Sequence, residues 1–230
     1  MRYMGGKSRL GKKIAAILKT YQRNRPYLEP FCGSCAVMEH MEGVRTASDA
    51  QPHLIALLRA VQDGYEPPSD VSEEMYKLAK TKPHLFEDHE VGFIGFGASF
   101  AAKWFGGYAR GGGRNFADES RRSLLKQKSK LAGVEFSQRD YRTWHPRGYL
   151  IYCDPPYDNT TQYKGLIPSF DSEEFWDIMQ TWGCFNTVII SEYAKRGHAQ
   201  EIAAWPVKTS LTKEYNENSG RVEKLFLLGQ

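Results

Sequence analysis

Four residues, Asp154-Pro155-Pro156-Tyr157, follow the apolar run Tyr149 to Cys153. This arrangement predicts a motif at the carboxyl end of a buried strand, where open α/β sheets bind their ligands. Two successive prolines remove backbone donors and fix φ, so a carbonyl is held rigidly beside a carboxylate. An exocyclic amine has two N–H donors to give. Holding both, with the Asp154 carboxylate and the Pro155 carbonyl, aligns the nitrogen for attack on an electrophile. Tyr157 adds a ring for stacking on an extruded base, worth roughly 1–3 kcal/mol. The bland alternative for these four residues is a Pro-Pro turn with a capping aspartate.

A second constellation is Glu29-Pro30-Phe31-Cys32-Gly33-Ser34-Cys35, with Asp49 sixteen residues after Gly33. It predicts strand, turn and helix, followed by an acid at the end of the next strand. Such a half-site holds a nucleoside: glycine lets the backbone approach the ligand and the acid takes ribose hydroxyls. The glycine triplet of dinucleotide sites is missing, as expected for a ligand without a pyrophosphate. Cys32-Gly-Ser-Cys35 also has the placement of a redox dithiol, but that reading leaves Asp49 and Asp154 unexplained. Gly6-Lys7-Ser8 lacks the earlier glycine and the preceding strand of a phosphate-binding loop.

The elements that must position these residues alternate. Leu10, Ile14, Ile17 and Leu18 predict an amphipathic helix that ends before Asn24-Arg25-Pro26. Next come a strand at Tyr27 to Glu29, a helix near Cys35 to Met41, a strand ending at Asp49, and a helix through Leu54, Leu57, Leu58 and Val61. The pattern then degrades at Glu66-Pro67-Pro68-Ser69 and in a glycine-rich and aromatic stretch from Gly92 to Gly113. Strands resume at Val134 to Ser137 and Tyr149 to Cys153. A helix from Phe175 to Trp182 is announced by Asp171 with Glu174 three residues on, a capping box. A strand at Thr187 to Ser191, a helix near Ala199 to Ala203, and strands near Val207 to Leu211 and Val222 to Leu228 complete the chain. Asn216 to Arg221 predicts a hairpin turn. The fold expected is α/β, with residues 1–64 and 133–230 forming one domain and 65–132 inserted into it.

At 230 residues with 41% apolar side chains, the chain can bury a substantial core. No run is long and apolar enough for a membrane span and no leader pattern is seen, so a soluble, cytoplasmic protein is expected. Four irregularly spaced cysteines fit a reducing compartment, and the histidines show no metal-ligand spacing. Net charge is +4, unevenly distributed. Met1 to Leu28 holds eight Lys or Arg and no acid, residues 63–90 hold eight acids against three lysines, and residues 103–142 carry ten basic side chains against four acids. The basic stretches suit a phosphate-binding face. Arg110, Arg114, Asn115, Arg121 and Arg122 are the candidate DNA contacts, with a solvated loop as the alternative.

Together these residues resemble the Dam-like, alpha-group N6-adenine DNA methyltransferases. Tyr3-Met4-Gly5-Gly6-Lys7 is similar to the family's N-terminal motif, Glu29-Pro-Phe-x-Gly33 to its cofactor motif, and Asp154 to Tyr157 to its catalytic motif. Cys35 stands where the family commonly has a second glycine, and Tyr3 where tryptophan is more usual. The resemblance implies a Rossmann-like, S-adenosylmethionine-dependent methyltransferase fold, with 65–132 as a mostly helical target-recognition module. It implies S-adenosylmethionine held by Tyr3, Lys7, Phe31, Gly33, Asp49, Asp140 and Asp154, with S-adenosylhomocysteine as product and no metal. It further implies catalysis by Asp154, Pro155, Pro156 and Tyr157 on an adenine flipped out of double-stranded DNA, in a bacterial or phage-infected cell. An N4-cytosine methyltransferase and an inactive DNA-binding relative are the alternatives.

Overall fold

The computed structural model describes residues 3–156, 169–194, 196–207 and 221–229. Its centre is a seven-stranded sheet in the order β3-β2-β1-β4-β5-β7-β6. The strands are β1 (Tyr27–Glu29), β2 (Arg45–Asp49), β3 (Val134–Gln138), β4 (Leu150–Cys153), β5 (Thr187–Glu192), β6 (Gln200–Val207) and β7 (Arg221–Leu228). Strands β1 to β5 pair in parallel, and β7 enters antiparallel between β5 and β6. The architecture is Rossmann-like, and its parallel strands place the carboxyl ends of β1, β2, β3 and β4 along one edge.

Side-chain alternation divides the core between the two faces of the sheet. Tyr27, Leu150, Tyr152, Ile189 and Leu225 join one apolar cluster. Their neighbours Leu28, Ile151, Cys153, Val188, Ile190 and Phe226 join the other. On the first face lie α1 (Gly11–Gln22) and α2 (Pro52–Gln62), which bury Ile14, Leu18, Leu54, Leu57 and Leu58. On the second lies α6 (Ser172–Gly183), through Phe175, Trp176, Met179 and Trp182. The start of α2 is fixed by Gln51, whose side chain accepts from His53 N and Leu54 N, with Pro52 at the position where a missing donor costs nothing. Strands β4 and β5 are buried along their whole length, as central parallel strands covered on both faces must be.

Residues 65–132 contribute α3 (Glu73–Thr81), α4 (Asp88–Gly97) and α5 (Phe116–Lys128). Helix α4 lies directly on α2: a side chain at Gly92 would bring its Cβ within 2.2 Å of the His53 carbonyl oxygen. Helix α5 is tied to the sheet side by Gln127, which donates to the Ser34 and Cys35 carbonyls. Val71, Phe93, Phe96 and Leu124 share the apolar cluster of α1 and α2. No helix among the described residues is long and apolar enough to cross a membrane.

Three expectations are corrected. The helix near Cys35 to Met41 is reduced to a single 3-10 turn, Met38–His40, because Cys35 takes a left-handed conformation at φ 57° that no α-helix continues through. The helix near Ala199 to Ala203 is instead the beginning of β6. Local preference in Ala-Gln-Glu-Ile-Ala-Ala yields there to pairing with β7, which would otherwise present an open edge. A register shift between Glu201 and Ala203 accommodates the extra residue. The capping box at α6 is half made: Asp171 accepts from Glu173 N and Glu174 N, while Glu174 turns away to accept from Arg142. Of the strand expected near Val207 to Leu211, only Val207 lies within the described residues, at the end of β6. The turn expected at Asn216 to Arg221 falls outside them apart from Arg221, the first residue of β7.

Candidate active site

The site forms where β1, β2, β3 and β4 end. After β1 the chain turns through Gly33, at φ 46°, and the Gly33 N–H donates to Asp49 Oδ2 at 3.1 Å. Asp49 Oδ1 accepts from Gln51 N at 3.0 Å. The acid at the end of β2 therefore holds the loop after β1 and the entry to α2 together. Desolvation lifts the Asp49 pKa to about 6, against the opposing effect of backbone hydrogen bonds from Gln51, Gly33 and Ala50. Tyr3 lies over this turn, since a Cβ on Gly33 would come 3.1 Å from its ring. The same ring packs on Phe96 of α4, with centroids 5.2 Å apart.

Lys7 reaches in from the same N-terminal segment and is 8% exposed. Its Nζ lies 2.8 Å from Asp154 Oδ1 and 3.4 Å from Glu223 Oε1. Burial disfavours the ammonium, but attraction to Asp154 and Glu223 more than compensates, and the Lys7 pKa stays above the ordinary lysine value. The first acid of the Asp-Pro-Pro-Tyr motif is thus anchored by the lysine of the Gly-Gly-Lys motif. Pro155 is buried and Pro156 half-buried beside it, while Tyr157 lies outside the described residues. Beneath them Glu29 accepts from the Tyr27 hydroxyl at 2.5 Å, and burial raises its pKa to about 8.

On the other side of Gly33 is an aromatic wall. Phe31 packs against Tyr141 (4.9 Å between centroids), Phe175 (5.7 Å) and Phe170 (6.3 Å). The Tyr141 hydroxyl is buried and has no hydrogen-bond partner among the described residues. Asp140, two residues beyond β3, accepts from the Arg142 backbone at 2.9 Å and pairs with its guanidinium at 3.2 Å. Arg142 also binds Glu174 at 2.7 Å and lies over the Tyr141 ring at 4.7 Å. Of the expected cofactor residues, Tyr3 meets Gly33, Gly33 meets Asp49 and Lys7 meets Asp154, while Phe31 packs on Tyr141, Phe170 and Phe175. Asp140 is occupied by Arg142.

The two cysteines of Cys32-Gly-Ser-Cys35 are buried and free. The Cys32 thiol is pushed well above its usual range by its hydrogen bond with Cys35 and by burial, the reverse of an activated redox thiolate. Cys35 occupies the left-handed conformation that a glycine would adopt without strain.

The candidate DNA contacts lie apart from this edge, and all are engaged within the chain. Arg110 pairs with Glu73, Arg114 with Glu119 (2.7 Å), Arg121 with Glu66 (3.1 Å) and Arg122 with Asp118 (2.9 Å). Asn115 caps α5 by accepting from Asp118 N and donates to the Ser69 carbonyl. Arg110 and Arg122 remain 68% exposed and Arg114 56%, whereas Arg121 is 28% exposed and also donates to the Pro67 carbonyl. A cleft of about 180 Å³ opens between Val71, Tyr108, Arg114 and Phe116. Sequence reasoning placed Glu29 in the motif after β1 without giving it a role, and did not single out Glu223 or Tyr141 as site residues. A buried acid in a strand that otherwise reads as apolar, Val222 to Leu228, was the available signal for Glu223.

No curated protein matches the chain. Among solved structures it is similar to SMU.472, described as a methyltransferase and complexed with SAH, with 11% identity, a TM-score of 0.37, and coverage of 100% of this chain and 55% of that one. It is also similar to a predicted N6-adenine-specific DNA methylase from Listeria monocytogenes, with 14% identity, a TM-score of 0.36, and coverage of 100% and 54%. The chain spans about half the length of these structures. In sequence, residues 3–94, which include Lys7, Phe31, Gly33 and Asp49, match the family of D12 class N6 adenine-specific DNA methyltransferases.

Proposed function

We propose that the chain is a DNA methyltransferase that moves a methyl group from S-adenosylmethionine to the N6 of an adenine in double-stranded DNA. The observation that carries this reading is the Asp154 carboxylate, fixed by Lys7 at 2.8 Å on the strand edge that also holds the Gly33–Asp49 turn. An acceptor for an amine and a half-site for a nucleoside share one rim.

The residues present fit the cofactor. Asp49 and the Gly33 turn suit a ribose, the Phe31–Tyr141 wall suits a flat adenine ring, and the partnerless Tyr141 hydroxyl offers a donor to a ring nitrogen. S-adenosylmethionine supplies an electrophilic methyl on a sulfonium. The remainder of the chemistry belongs to the chain. Asp154 and the Pro155 carbonyl accept the two N6 hydrogens, which localises the nitrogen lone pair for attack in line and leaves a carboxylate ready for the proton that must depart. Lys7 keeps the carboxylate oriented. The base reaches the site by leaving the duplex, at a cost of a few kcal/mol, and Tyr157 is assigned to stack on it. Residues 65–132 are assigned to target recognition.

Calorimetric titration with S-adenosylmethionine, followed by tritium transfer to duplex DNA and nucleoside analysis of the product, tests this. N6-methyladenine is the expected product. N4-methylcytosine would correct the base, and cofactor binding without transfer to any DNA would overturn the enzymatic reading.

A further inference from the structure

Strand β7 brings a second carboxylate to Lys7. Glu223 is 3% exposed and lies on the same strand face as Leu225, within the core. Val222 on one side of it is exposed, and Lys224 on the other pairs with Glu201 at the surface. An apolar residue would be the economical choice at position 223, because a buried acid is costly unless paired. Lys7 already has Asp154 at 2.8 Å, so one ammonium serves two carboxylates. The groups that face Lys7 are Asp154 after β4, Glu223 on β7 and Tyr193 after β5, with Glu29 of β1 and Tyr152 of β4 nearby.

Resting on the methyltransferase reading, we infer that Glu223 is a positioning residue that acts through Lys7: it shares the ammonium with Asp154, so that the cluster presents more negative charge to a cationic methyl donor than Lys7 and Asp154 would without it. A lysine held by Asp154 alone would neutralise the carboxylate that the amine and the sulfonium both need. The methyl donor carries a positive sulfonium, its demethylated product is a neutral thioether, and the nitrogen becomes cationic as the methyl arrives. Charge at Glu223 therefore favours binding of the cationic donor over binding of its neutral thioether product.

The test compares calorimetric affinities for S-adenosylmethionine and S-adenosylhomocysteine in the full chain, in Glu223→Gln and in Glu223→Asp. A unit charge within one cleft, at an effective dielectric of about 20, changes the affinity of a cation by roughly ten-fold. Glu223→Gln should lose affinity on that scale for S-adenosylmethionine with little change for S-adenosylhomocysteine. Glu223→Asp, which keeps the charge, should hold the wild-type ratio. Equal losses for both compounds, no loss for either, or a Glu223→Asp variant that behaves as the glutamine variant does would each overturn the inference. Wild-type protein that takes up neither compound would instead overturn the methyltransferase reading, and this inference with it.

Discussion

Replacing Lys7 by methionine would remove the cation from between two carboxylates while keeping most of the side-chain volume. At 2.8 and 3.4 Å, each contact is worth roughly 5 kcal/mol of gross attraction at an effective dielectric of about 20. Burial of the ammonium offsets much of that gain, so the pair adds little net stability while intact. Breaking it is another matter. Asp154 and Glu223 would both lose their contact with Lys7, and removing one partner of such a buried set costs about 3–5 kcal/mol. Urea unfolding followed by circular dichroism at about pH 7.5 reads this directly. A loss below about 1 kcal/mol would refute the placement of Lys7 as the shared cation.

Further outcomes follow from the same geometry. Asp154→Ala should abolish methyl transfer while leaving S-adenosylmethionine binding measurable by calorimetry; normal turnover would remove Asp154 from the mechanism. Tyr141→Phe deletes a buried hydroxyl without a partner, so the ligand-free protein should unfold no more easily, or be up to about 1 kcal/mol more stable, while cofactor affinity falls. Asp49 has a folded pKa raised from 3.8 to about 6, so its contribution to stability should decline as pH rises through that window, and Asp49→Asn should flatten the pH dependence of unfolding there. In Arg110→Ala and Arg114→Ala, DNA affinity should fall with a shallower salt dependence. An unchanged slope in filter binding would return those arginines to their intramolecular partners Glu73 and Glu119.

Much of this protein was legible in its residue order, where the signal is local. A continuous apolar run marks β4 and β5 as buried parallel strands. Asp171 marks the start of α6, and Gly33 and Asp49 meet because both lie at strand ends that adjacent parallel pairing brings together. The helix expected after Ser34 was lost to a single backbone angle at Cys35, and the helix near Ala199 to the hydrogen-bonding demand of β7. Neither cause is visible within a short window of sequence. The candidate active site followed the same division. Residue types identified Asp154 as an acceptor and Lys7 as part of a motif, but nothing in the order of the chain says that they touch. That contact depends on the N-terminal segment reaching the end of β4, and the arrival of Glu223 depends on β7 entering antiparallel beside β5. Sequence determines which groups are available and which strand ends carry them; only the closed sheet decides which charges share a desolvated space, because a pairing across a fold has no periodicity along the chain.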